Sequence, residues 1–110
     1  MASRYGLHVM PQETIAAILL EFVHTCTPSE RDALNAIVDD SAAKAPERLL
    51  ARALLDVEHT ASPEDRSPLL ALAQDKSVSA GQRTLACVIY RLIHTATDAD
   101  KAQLKRLLKD

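Results

Sequence analysis

His24-Thr25-Cys26-Thr27-Pro28, His59-Thr60-Ala61-Ser62-Pro63 and His94-Thr95-Ala96-Thr97-Asp98 are three versions of one segment, 35 residues apart. Outward from them the register holds without a gap. Ala16, Ala51 and Ala86 coincide, as do Leu34, Leu69 and Leu104, and Asp40, Asp75 and Asp110. Fixed-period self-similarity marks a repeat architecture. The chain therefore divides into a segment 1–10 and copies at 11–45, 46–80 and 81–110, read as a single domain over 1–110.

Each copy reads as a helical hairpin. In the first copy Ile15, Ile18, Leu19, Phe22 and Cys26 recur at steps of three and four, which places them on one helix face. Leu50, Ala53, Leu54, Val57 and Ala61 repeat the stripe, then Leu85, Val88, Ile89, Leu92 and Ala96. The second helix of each copy opens on Thr27, Ser62 or Thr97, with Glu30, Asp65 or Asp100 three residues on, the spacing of a capping box. Pro28 and Pro63 take the first helical position, where an N–H is not needed. Ala36 and Ala71 read as small residues at close helix approaches. The expected fold is all-α, three tandem 35-residue hairpins and six main helices, stacked as a short α-solenoid or compact six-helix array. The first helix is apolar nearly all round, so segment 1–10 or a second subunit is expected to cover it.

Composition excludes several classes. Aromatics are 3% of the chain, too few for the usual filling of a β-sandwich or barrel. Ala and Leu dominate, which favours helix. The net charge of −2 implies no global pull toward nucleic acid or membrane. No apolar run is long enough to span a bilayer. Cys26 and Cys87 lack metal-type spacing and read as small buried thiols. A cytoplasmic protein without cofactor is expected.

The outline is HEAT-like in architecture only. Its period is near that of tetratricopeptide repeats, but their Trp, Gly-Tyr and Phe positions are absent. No catalytic triad, glycine-rich phosphate loop or HExxH motif occurs, so no enzyme is expected. Neighbouring helices lie about 8–10 Å apart, and a zinc ligand lies about 2 Å from its ion. His24, His59 and His94, on equivalent positions of successive copies, are therefore expected not to converge on a single metal ion. This ladder is expected to satisfy helix C-termini. Arg31, Arg66 and Lys101 form a second ladder, read as solvated.

The expected function is a protein–protein interaction module, an adaptor or small regulatory subunit. It would bind through residues that vary between copies on the second helices: Asn35, Leu70 and Lys105; Asp39, Gln74 and Lys109; and also Asp32, Ser67 and Ala102. Leu70 is the expected anchor. The alternative is nucleic-acid binding through Arg91, Lys101, Lys105 and Arg106 in the basic third copy. Residues 11–45 are acidic and 81–110 basic, so head-to-tail contact or a homodimer between chains is a further expectation.

Overall fold

The computed structural model describes residues 11–108. Its helices are α1 (Pro11–Glu21), α2 (Pro28–Asp39), α3 (Ala45–Leu55), α4 (Pro63–Ala73), α5 (Ala80–Arg91) and α6 (Asp98–Leu108), with no β-strand among the described residues. No helix among them is long and apolar enough to cross a membrane.

Local chemistry sets the helix starts. The Glu30 N–H donates to Thr27 Oγ1 at 3.1 Å, and the Thr27 N–H to Glu30 Oε1 at 2.9 Å, a complete capping box. The Asp100 N–H donates to Thr97 Oγ1 at 3.1 Å. Ser62 departs from the expected box: its hydroxyl donates to Glu64 Oε1, and the Asp65 N–H reaches only the Ser62 carbonyl. Asp65 turns instead toward Asp56. The first helices of the second and third copies are capped too. Ser79 and Gln82 form a box at α5, and the Lys44 N–H donates to Glu47 Oε1 at α3.

All fifteen residues of the three stripes, from Ile15 to Ala96, are buried. Leu34, Leu69 and Leu104 each bring a fully buried side chain from a second helix, worth roughly 1.5–3 kcal/mol apiece. Ala16, Ala51 and Ala86 are also fully buried. Ala36 and Ala71 are not close-approach positions. They are exposed, because the second helices bury only the side that carries Leu34 and its equivalents.

An open stack leaves its first and last units apart. Here α6 packs against α1 just as α2 packs against α3 and α4 against α5, while α1, α3 and α5 all touch one another. The second helix of each copy thus lies mainly on the first helix of the next, and the third copy returns to the first. The result is a closed, pseudo-threefold arrangement measuring 36 × 30 × 27 Å. Closure answers the question posed by the apolar α1. Helix α6 covers it within the same chain, so neither a second subunit nor segment 1–10, which lies outside the described residues, is needed for that. The acidic and basic copies meet inside one molecule.

Candidate metal centre

The connection between the two helices of each copy runs over the pseudo-threefold axis. The expected placing of His24, His59 and His94 at helix ends is overturned: α1 stops at Glu21, and the histidine lies beyond it in the turn. Their φ angles are 63°, 70° and 62°, the non-glycine residues with positive φ among those described. Such a residue usually costs on the order of 1–2 kcal/mol. The conformation lets each histidine bond to both of its counterparts through the backbone. The His24 N–H donates to the His94 carbonyl (2.7 Å), His94 N–H to His59 (2.6 Å) and His59 N–H to His24 (2.8 Å). This ring satisfies three donors and three acceptors where the loops meet.

The side chains converge as well. Nδ1 of His24 is 2.9 Å from Nδ1 of His59, His59 is 3.1 Å from His94, and His94 is 2.8 Å from His24. The rings stand edge to face at 70–77°, with centroids 4.7–4.9 Å apart. This overturns the expectation, drawn from the spacing of neighbouring helices, that the three would not converge. In a closed ring, equivalent positions near the axis meet, so the spacing between neighbouring helices no longer sets the distance. The histidines are exposed and form the one group of three or more metal-ligating side chains among the described residues. Phe22, Val57 and Leu92, two residues before each histidine, are buried. Val23 and Ile93 at the rim are 61% and 65% exposed.

Hydrogen bonding alone cannot satisfy this triangle. In the ring plane Nδ1 carries either a proton or a lone pair, so it donates or accepts but never does both. Among three mutually adjacent nitrogens, two are always of the same kind. At least one of the three short contacts is therefore repulsive in every combination of tautomers.

The residues expected to bind partners are placed differently. Asn35 and Asp39 are exposed on α2, Leu70 on α4 with Gln74 exposed just past its end, and Lys105 on α6; Lys109 lies outside the described residues. Asp32, Ser67 and Ala102 are exposed on the same three helices. Because α2, α4 and α6 make no contact with one another, these positions form three separate faces instead of one groove. In the basic patch, Lys105 and Arg106 are exposed and Lys101 half-buried. Arg91 forms an ion pair with the buried Asp100 carboxylate, which raises the guanidinium pKa further. In the second ladder, Arg66 lies 4.4 Å over the Tyr90 ring. Both cysteines are free. Cys26 is buried, its thiol pushed up to about 11 by burial and then by Glu30, while Cys87 is half-buried. A thiol so held in its protonated form is a poor nucleophile.

The sequence signal for the tripod was the histidine itself, unchanged in all three copies while its predecessor runs Val23, Glu58, Ile93. Comparison with protein-family models, with curated proteins and with solved structures finds no match for this chain.

Proposed function

We propose that this protein binds one divalent first-row transition-metal ion on its pseudo-threefold axis, through Nδ1 of His24, His59 and His94. The observation that carries the reading is the triangle of nitrogens 2.8–3.1 Å apart. Protons cannot satisfy its three contacts, whereas a single cation accepts all three lone pairs at once. Neutral imidazoles suit Zn, Cu, Ni and Fe. The backbone ring needs no imidazole, since glycine or asparagine adopts positive φ at least as readily. The histidine side chains therefore call for a role of their own.

Equilibrium dialysis against Zn²⁺, Co²⁺ and Ni²⁺, one metal at a time, tests this. One ion per chain is expected. His59→Asn should lose more affinity than the ~10–100-fold that removing an outer-shell partner costs, with helical content unchanged. No binding, or binding indifferent to His59→Asn, removes the reading.

The adaptor role is a second reading, favoured by Leu70, 40% exposed on α4. Two free thiols suit a cytoplasmic setting for either role. A Leu70→Asp protein that folds normally and retains its protein partners excludes Leu70 as the anchor.

A further inference from the structure

The spacing of the tripod also bears on what else the ion would hold. Three nitrogens ~2.1 Å from one ion stand about 3.0 Å apart when they subtend right angles, and about 3.4 Å apart in a tetrahedron. The observed 2.8, 2.9 and 3.1 Å match one face of an octahedron. The histidine backbones bond to one another in a ring, and Phe22, Val57 and Leu92, two residues earlier in the chain, are buried. The described residues add no fourth ligand to the cluster, and all three histidines face solvent. An octahedral ion seated on this face has three positions left, adjacent to one another and all on the open side. Its imidazole ligands are neutral and leave the ion its double charge, with Glu58, exposed next to His59, the one carboxylate that flanks a ligand in the chain. Thr25, Thr60 and Thr95, next to the histidines in the chain, are exposed as well.

From this we infer that the loaded site takes up a small chelating oxygen anion, of the α-hydroxy- or α-keto-carboxylate class, in two adjacent coordination positions. The inference rests on the metal-binding reading. Two oxygens one carbon–carbon bond apart span neighbouring octahedral positions, and the charge that three neutral imidazoles leave on the ion favours an anion over a neutral chelator.

The test loads the full chain with one equivalent of Co²⁺ and titrates it with oxalate, using acetate as the monodentate control. Before addition, the weak visible absorption of six-coordinate cobalt is expected. Oxalate should change the spectrum and saturate at one per chain, with cobalt retained on the protein in ultrafiltration. Acetate should bind at least about tenfold more weakly. The intense spectrum of four-coordinate cobalt, unaltered by oxalate, overturns the inference and leaves the metal site standing. So does cobalt leaving the protein with the oxalate. A chain that takes up no cobalt in dialysis overturns both readings, and His59→Asn, showing no protein-bound cobalt spectrum, ties the signal to the tripod.

Discussion

The carboxyl groups of Asp65 and Asp56 meet where, one copy later, Asp100 and Arg91 form an ion pair. Burial, then the hydrogen bond and charge of Asp56, push Asp65 up to about 6. Its pKa is thus higher in the folded chain than in the unfolded one, where it is 3.8. The stability that this proton brings is fully present below the unfolded value and is lost as pH rises through about 6. Asp65→Asn should therefore raise the melting temperature relative to the parent at pH 8 and gain less at pH 4.5. Asp56→Arg, which copies the pairing in the third copy, should also stabilise at pH 8. Thermal melts of the three proteins at both pH values check this, and equal shifts at the two pH values count against the shared proton.

Metal binding should appear as stability, since a ligand that binds the folded state alone shifts the equilibrium toward it. With free Zn²⁺ or Ni²⁺ at a hundredfold excess over Kd, the gain is about 2.7 kcal/mol. For a domain of this size that corresponds to roughly 10–20 °C in Tm. A chelator should reverse the shift, and His24→Asn should not show it.

Without metal, substitutions at the axis should rank by backbone preference alone. His94→Gly and His94→Asn should be as stable as the parent or up to about 1 kcal/mol more stable, because both accept positive φ. His94→Ala should be about 1 kcal/mol less stable, having a Cβ and no preference for that region. Urea denaturation in the presence of a chelator measures the order. Losses of similar size in all three would instead give the imidazoles a structural role.

Closure predicts tolerance to circular permutation. Helices α6 and α1 pack as α2 does on α3, a pair joined by 40–44 alone. Joining Asp110 directly to Met1, with 109–110 and 1–10 as the linker, and opening the chain between the exposed Lys76 and Ser77 should give a folded protein. Its helical content should match the parent, and it should unfold in one cooperative transition. A permutant that melts broadly or not at all would speak for an open arrangement of the same helices.

Most of what is local was legible. Ile15, Leu50 and Leu85 lie where the 3.6-residue period puts them, buried on the inner face, and Thr27 caps α2 through Glu30. One local expectation failed because a neighbour competed: Asp65 turned to Asp56 instead of completing its box. Arg91, its side chain half-exposed, also takes a partner that the basic patch did not foresee, the buried Asp100. Neither pairing shows in a linear pattern, since each pair is separated by a helix-to-helix turn whose path is not written in the spacing.

The period, the six helices, their buried faces and the caps at Thr27 and Thr97 were determined by the sequence itself, because each depends on contacts within a turn or two of helix. Tertiary structure alone decided that the array closes. The rotation from one copy to the next is the sum of interhelical packing angles, which the same heptad-like stripes permit to differ. Here that rotation brings α6 back onto α1. The same closure turns His24, His59 and His94 from a ladder of separated side chains into three nitrogens around one axis.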